Sequence, residues 1–233
     1  GGGVALIFPH HENEIAQSEG ASGKKFVKYW VHNEWLLVDG KKMSKSLGNF
    51  YNLRDVLDKG YHPLAVRYLL LSTHYRQQMN FTFSGLDAAR NSLQRIWDFM
   101  KKLDECSGKG KGVSALLKKA KESFTKCLDD DLEISGALAV LFDLIKDINS
   151  VMPELGKKDV SEIKELMHEF DRVLGFIVVK EEKIGSDIQN LVNERESARK
   201  SKDFKKADKI RDELKSKGII LEDTPQGVRW KRA

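Results

Sequence analysis

Trp35-Leu36-Leu37-Val38-Asp39-Gly40-Lys41-Lys42-Met43-Ser44-Lys45-Ser46 is the stretch from which the rest of the chain can be read. Trp35 to Val38 is apolar and β-prone, Asp39-Gly40 supplies a tight turn, and the chain returns through a compact cationic segment. Lys42 and Lys45 stand three positions apart, separated by Met43 and Ser44 and followed by Ser46. Their ammonium groups suit phosphate oxygens as point charges, and the serine hydroxyls can donate hydrogen bonds beside them. If an α-phosphate is attacked, charge on the phosphoryl oxygens shifts in the transition state. A cation that reaches its best position only then lowers the barrier rather than merely tightening binding. Outside such a context, a lysine-rich turn is a solvated surface feature.

Upstream, residues 4–8 form a short apolar run that predicts a buried strand, and Pro9 precedes a helix opening at His10-His11-Glu12-Asn13-Glu14. Residues 25–33 and 35–38 are rich in aromatic and β-branched residues and predict further strands. On a helix, His10 and Glu14 lie one turn apart on the same face. An imidazole and a carboxylate so placed form either a solvated pair or two ligands of a tetrahedral zinc.

Downstream, Asn52 with Asp55 three positions on is an N-cap signal for a helix over 53–59, and Pro63 opens another. Residues 84–150 are helical almost throughout. Leu93, Ile96, Trp97 and Met100 repeat at helical spacing, as do Leu138, Leu141, Phe142, Ile145 and Ile148. The loop 107–112, three glycines and two lysines in six residues, separates two of these helices. A further helix over 160–174 turns Ile163, Leu166, Met167, Phe170 and Leu174 inward. These stripes are core. The charged stretch 180–186 reads as a linker, followed by helices over 187–202 and 204–217 and a β-hairpin pairing 219–222 with 228–231.

The 233 residues carry a formal charge of +5. The segment 180–233 holds 15 Lys/Arg against 11 Asp/Glu, an excess of +4, as a polyanion-binding module would. No apolar run approaches the roughly 20 residues needed to span a bilayer, which argues against a membrane protein. Cys106 and Cys127 belong to no C-x-x-C pair, so a disulfide framework is not expected and a reducing, cytoplasmic setting is the default. The glycine-rich start has neither a basic leader nor an initiator methionine and reads as the middle of a longer polypeptide.

Lys42-Met43-Ser44-Lys45-Ser46, followed by Leu47-Gly48-Asn49, resembles the KMSKS signature of class I aminoacyl-tRNA synthetases. The segment from Phe8 to Gln17 resembles the FPHHENEIAQ segment of the cysteinyl-tRNA synthetases within that class. Tyr29-Trp30-Val31-His32-Asn33, the run 64–75 and the closing run 221–227 are similar to the same family, so the resemblance covers nearly the whole chain. It implies a fold in three parts. Residues 1–83 would be an α/β piece, the C-terminal half of a Rossmann-type catalytic domain with a connecting segment. Residues 84–178 would be an all-α bundle, and 186–233 a small α+β module reading the tRNA anticodon, the whole being predominantly helical.

The resemblance also implies the chemistry: ATP-dependent activation of L-cysteine to the adenylate, with Mg2+, and transfer to tRNA(Cys) by a monomer. Lys42 and Lys45 would be catalytic, and Lys42, Met43, Ser44, Lys45 and Ser46 would contact ATP. His10 and Glu14 would hold Zn2+ together with two cysteines expected upstream. A thiolate ligates zinc where a serine hydroxyl does so poorly, so selection would need no editing site. His11 would bond substrate or support a ligand, whereas Trp30 and His32 read as core strand residues. Without the HIGH-containing half, the 233 residues alone are expected to be inactive. In the tail, a carboxylate can accept from an unstacked guanine edge, and Arg or Trp can stack on bases, which makes Arg199, Asp208, Asp223 and Trp230 the candidates for tRNA. Lys205, Lys206, Lys209 and Lys231 suit phosphates or solvent. Two other readings share parts of this pattern: the related ligase of mycothiol synthesis, which needs no RNA-reading tail, and a non-catalytic tRNA-binding paralogue.

Overall fold

The computed structural model describes residues 1–178, 186–201, 203–224 and 227–232, and the chain divides into two compact units, 1–179 and 180–233. The expected linker 180–186 falls almost wholly outside the described residues, as do the hairpin turn residues Pro225 and Gln226.

In the first unit, β1 (Gly2–Gly3) pairs in parallel with β2 (His32–Asn33). The strand expected over 4–8 does not form. Val4–Leu6 is a 3-10 turn and Ile7–His11 a wider turn that runs into α1 (Glu12–Ser22). A strand needs neighbours to take its backbone groups. Here the Ile7 amide bonds the Val4 carbonyl and the Glu12 amide reaches back to Ile7, so the polar groups are satisfied locally. The strand expected over 25–33 likewise shrinks to the two residues that find β1. α1 ends at Gly23, whose φ of 65° supplies the left-handed cap.

β3 (Leu36–Val38) is the centre of a three-stranded sheet. It pairs antiparallel with β4 (Lys41–Lys42) and parallel with β5 (Met79–Phe81). Asp39 and Gly40 turn the β3–β4 hairpin with φ of 49° and 73°, both in the left-handed region that such a turn requires. α2 (Leu53–Asp58) starts with the expected reciprocal cap: Asn52 accepts from the Asp55 amide at 3.1 Å, and Asp55 accepts from the Asn52 amide at 2.8 Å. α3 (Pro63–Leu71) follows, and Val38, Val56, Val66, Phe81 and Leu86 form the small core beneath the sheet.

α4 (Phe83–Leu103), α5 (Ser114–Asp129), α6 (Ile134–Val151) and α7 (Lys157–Leu174) make the helical bundle. The predicted stripes are its core: Leu93, Ile96, Leu141, Ile148, Ile163, Met167 and Phe170 are buried, and Phe124 stacks on Phe170 at 4.0 Å. Trp97 and Phe142 pack at the margin, Trp97 with its indole N–H on the Phe176 carbonyl at 2.9 Å. Arg67 on α3 donates to the Leu174 carbonyl at 2.6 Å, so a cation caps the α7 C-terminus. Buried Asp159 on α7 accepts from the Lys111, Gly112 and Gly156 amides at 2.8, 3.1 and 3.0 Å, and fixes the glycine-rich loop to the bundle. Those amides, Gly156 first, hold its carboxyl below the usual carboxylate range.

The second unit is a helical hairpin, α8 (Ser186–Lys200) and α9 (Phe204–Ser216), with a β-ribbon. Val192, Ile210, Leu214, Ile219 and Leu221 form its core. β6 (Ile219–Thr224) pairs antiparallel with β7 (Gly227–Arg232), Leu221 opposite Trp230 and Asp223 opposite Val228, which is the hairpin expected from the sequence.

Candidate functional site

The lysine segment leaves β4 as a short loop held at two points. Met43 turns inward against the core under the sheet. Asn49 spans the loop: its side-chain oxygen accepts from the Ser44 amide at 2.9 Å and its amide nitrogen donates to the Lys42 carbonyl at 3.1 Å. The Ser44 and Ser46 hydroxyls lie 3.3 Å apart, and the Ser44 hydroxyl also accepts from the Leu47 amide. Gly48, at φ 65°, closes the turn by bonding the Lys45 carbonyl. With Met43 and Asn49 as fastenings, Lys42 and Lys45 point outward. Lys42 Nζ rests 5.1 Å from the Trp35 ring and Lys45 Nζ 5.6 Å from the Phe50 ring, contacts that a polyanion can displace. The clip by Asn49 carries no local signature beyond an Asn after Leu47-Gly48, and the inward turn of Met43 emerges only once the β3–β5 core is seen.

Three further contacts link this sheet to the bundle by way of Tyr75 and Arg76. The Glu34 amide, just ahead of β3, donates to the Tyr75 carbonyl at 2.8 Å. The Tyr75 hydroxyl donates to Asp131 at 2.6 Å, and Arg76 pairs with the same carboxylate at 2.6 Å. The Tyr75 hydroxyl first, and then Arg76, keep the Asp131 carboxyl below its ordinary range. Asp131 and Leu132 hold φ of 53° and 59° in the α5–α6 turn, a left-handed conformation that this anchoring stabilises.

His10 and Glu14 share one face as expected, with His10 Nε2 at 3.5 Å from Glu14 Oε1 and both side chains about half exposed. Together they offer one nitrogen and one oxygen donor, two of the four a tetrahedral zinc takes. Among the described residues no group of three or more His, Cys, Asp or Glu converges, so the fit of this pair to zinc is to half a ligand set. Cys106 and Cys127 are free thiols in the bundle, and burial pushes the Cys106 thiol up.

Beside that pair, buried His11 faces His32, Nδ1 to Nε2, at 2.8 Å. One ring donates and the other accepts across this contact. Trp30 stacks on His32 at 5.7 Å with a 7° tilt and lies 4.7 Å from His11. His32 sits on β2, whereas Trp30 is off any strand, half-buried by these rings. Gly2 is required at this point, because a Cβ there would stand 2.8 Å from His11 Cε1. The lysine loop belongs to the β4-β3-β5 sheet and the histidine cluster flanks the β1-β2 pair.

In the second unit, Arg199 on α8 and Asp208 on α9 are exposed, as are Lys205, Lys206 and Lys209. Lys206 pairs with Glu194 at 2.8 Å, a hydrogen bond that raises its affinity for its proton. Asp223 and Trp230 lie on β6 and β7, with side chains outside the described part.

Residues 1–91 match the family described as tRNA synthetases class I (C) catalytic domain, residues 123–178 the DALR domain, and residues 181–230 the cysteinyl-tRNA ligase anticodon binding domain. The chain is 46% identical over 238 residues to a cysteine–tRNA ligase of Protochlamydia amoebophila, covering 99% of this chain and 50% of the relative. A cysteine–tRNA ligase of Chlamydia muridarum is 47% identical over 245 residues, 99% of this chain and 52% of the relative. The chain thus spans about half the length of the curated relatives it matches. In fold it is similar to a LeuRS of Agrobacterium radiobacter K84, solved as a ternary complex with tRNA and LeuAMS. The TM-score is 0.58 at 19% identity, covering 76% of this chain and 26% of that one.

Proposed function

Because the chain belongs to the cysteine–tRNA ligase family and corresponds to the C-terminal half of its members, we propose that it works as that half of a complete ligase. The reaction is ATP-dependent activation of L-cysteine, with Mg2+, followed by transfer to tRNA(Cys), carried out by a monomer in the cytoplasm. The observation that carries this reading is the lysine loop. Two exposed ammonium groups on a segment fastened by Met43 and Asn49 can swing onto the phosphates of ATP, leaving the Trp35 and Phe50 rings as they do so. Lys45, with no sheet bond of its own, is the principal contact, and Lys42, at the end of β4, supports it. Because the loop reaches its best position as charge moves onto the pyrophosphate, it contributes to kcat more than to ATP affinity.

His10 and Glu14 supply two ligands for zinc, the other two coming from the half of the ligase outside this chain. Zinc, when bound, supplies ligation selective for a thiolate over a hydroxyl. The His11–His32 bond and the Trp30 stack position the segment that presents His10. The organisation accordingly runs as a partial catalytic domain over 1–83, a bundle over 84–178 and an anticodon module over 186–233. The match to an anticodon binding domain at 181–230 favours the tRNA ligase over the mycothiol-pathway relative. In that module Arg199 and Trp230 stack on bases, while Asp208 and Asp223 accept from base edges.

The test is cysteine-dependent ATP–pyrophosphate exchange by the complete ligase. Lys45→Ala lowers kcat by about 100-fold with a smaller change in KM for ATP. A change confined to KM would reduce the loop to a ground-state binding element. Exchange catalysed by the 233 residues alone would overturn their assignment as half of a site.

A further inference from the structure

Three consecutive residues beside the β4-β3-β5 sheet close on a single residue of the bundle. His74 Nε2 meets the Asp131 carbonyl oxygen at 2.9 Å, the Tyr75 hydroxyl donates to Asp131 Oδ1 at 2.6 Å, and Arg76 Nε pairs with Asp131 Oδ2 at 2.6 Å. Arg76 Nε also donates to the Tyr75 hydroxyl at 3.0 Å, so both carboxylate oxygens and the main-chain oxygen of Asp131 are engaged at once. A second tie runs beside the first, from the Ser135 hydroxyl at the start of α6 to the Ser72 carbonyl at the end of α3, at 3.4 Å. Bundle stability does not account for this grip. The Arg76 and Asp131 side chains are 65 and 46% exposed, a setting in which an ion pair contributes little. Asp131 and Leu132 both stand at positive φ, where a leucine is strained. Strained residues held by exposed bonds make sense for a turn shaped by where it puts its carboxylate rather than by how firmly it closes.

Residues 74–76 lead from α3 into β5, and β5 carries the hairpin that feeds the lysine loop. At the near end the Tyr75 carbonyl accepts from the Glu34 amide at 2.8 Å, and the Met79 amide donates to the Trp35 carbonyl at 3.1 Å. At the far end the Phe81 carbonyl accepts from the Asp39 amide at 3.1 Å, and the Asn80 side-chain oxygen accepts from the Gly40 amide at 2.7 Å. Both residues of the β3–β4 turn are therefore held by β5, and Lys42 follows Gly40 by two positions. We infer that Asp131 is a positioning residue for the lysine loop: by gripping residues 74–76 from the bundle, it fixes β5 and, through the Asp39-Gly40 turn, the place where Lys42 and Lys45 stand. The inference deepens the function proposed above and rests on its reading of that loop. Asp131 acts through Tyr75 and Arg76 and not on the reacting atoms. A loop that delivers its charge in the transition state is sensitive to small displacements of its base, so the latch bears on kcat more than on nucleotide binding.

The experiment is cysteine-dependent ATP–pyrophosphate exchange by the complete ligase, with amide hydrogen exchange measured on the same proteins. Asp131→Gly removes the carboxylate but suits a positive φ, so the turn is relieved rather than broken. It is expected to lower kcat about tenfold, with the KM for ATP changed by less than about twofold and the melting of the bundle unchanged. Hydrogen exchange at the Asp39, Gly40 and Ser44 amides is expected to accelerate about tenfold. Tyr75→Phe removes one hydroxyl and lowers kcat about threefold, and the double variant loses no more than Asp131→Gly alone, because the two residues act as a unit. Lys121→Ala breaks an ion pair of similar exposure, with Glu169 between α5 and α7, and leaves kcat unaltered. An unchanged kcat in Asp131→Gly, additive losses in the double variant, an equal loss from Lys121→Ala, or a fall in bundle melting that accompanies the loss would each overturn the proposal. A loss from Lys45→Ala with none from Asp131→Gly removes the latch and leaves the reading of the lysine loop standing. If Lys45→Ala has no effect, that reading fails. Unchanged hydrogen exchange at Asp39 and Gly40 in Asp131→Gly would then overturn the latch as well, whereas faster exchange there would sustain its hold on the turn.

Discussion

The α4–α7 bundle and the 52 residues ahead of α2 belong to one compact unit yet are built on opposite terms. The bundle buries Leu93, Ile96, Phe99, Leu141, Ile148 and Phe170 to within 2% of full burial, caps its helices and latches its loops. The leading region carries the chemically suggestive residues but buries two side chains and pairs its strands two or three residues at a time. Packing and the candidate site residues are therefore separated: a well-packed bundle is joined to a thinly packed region that carries the lysine loop and the His10–Glu14 pair. The lysine loop illustrates the arrangement, being fastened to the scaffold by Met43 and freed from it at Lys45.

The largest effect that would test this division comes from the bundle. Phe170→Ala removes a ring stacked on Phe124 in a fully packed site and is expected to cost about 3–5 kcal/mol. Phe8→Ala, at 77% exposure, is expected to change the unfolding free energy of the isolated chain by no more than about 0.5 kcal/mol. Urea unfolding followed by circular dichroism measures both. Comparable losses would mean that the leading region is packed against an interior the structure does not show, and the contrast would fail.

Next in size is the latch at Asp159. Asp159→Ala leaves the amides of Lys111, Gly112 and Gly156 without their acceptor and is expected to cost about 2–3 kcal/mol. Its pH dependence has a fixed sign. The carboxyl titrates lower in the folded chain than in the unfolded one, so its contribution is complete above the unfolded value of about 4. It is lost as pH falls through the folded value. The wild type should therefore lose stability below about pH 4 more steeply than Asp159→Ala does. Parallel pH profiles would remove Asp159 from the account of the bundle's rigidity.

The same contrast explains what could be read without coordinates. Where structure follows from neighbours in the chain, the sequence is sufficient. The Asn52–Asp55 cap, the Asp39-Gly40 turn, the Pro63 helix start and the inward stripes of α6 and α7 all form as expected. Where it depends on distant partners, local pattern misleads or is silent. Residues 4–8 look like a buried strand because they are apolar, but apolarity does not say whether a neighbouring strand is present to pair with them. The His11–His32 bond spans 21 positions and the Asp159 latch 47 and 48, separations at which no spacing rule applies. In the candidate site the types and order of Lys42, Lys45, His10 and Glu14 were legible, because the motifs are contiguous. The Asn49 clip and the inward Met43 were not, because each is defined by what it touches.

The smallest effect is the most discriminating. Asn52→Ala removes the N-cap of α2, which lies directly after the lysine loop, and a cap of this kind is worth about 1 kcal/mol. In a single cooperative structure that loss would lower the global unfolding free energy by the same amount. In a chain divided as described here, the global transition reports the bundle, and α2 and the lysine loop open below it in sub-global steps. Asn52→Ala should then accelerate hydrogen exchange of the amides from Ser44 to Val56 about fivefold, the factor corresponding to 1 kcal/mol, while exchange in α6 and α7 is unchanged. Equal acceleration in the bundle would show that the loop and the scaffold open together. The freedom of Lys45 to move onto a nucleotide would then have to be sought in side-chain rotation alone, since backbone opening would no longer be available to it separately.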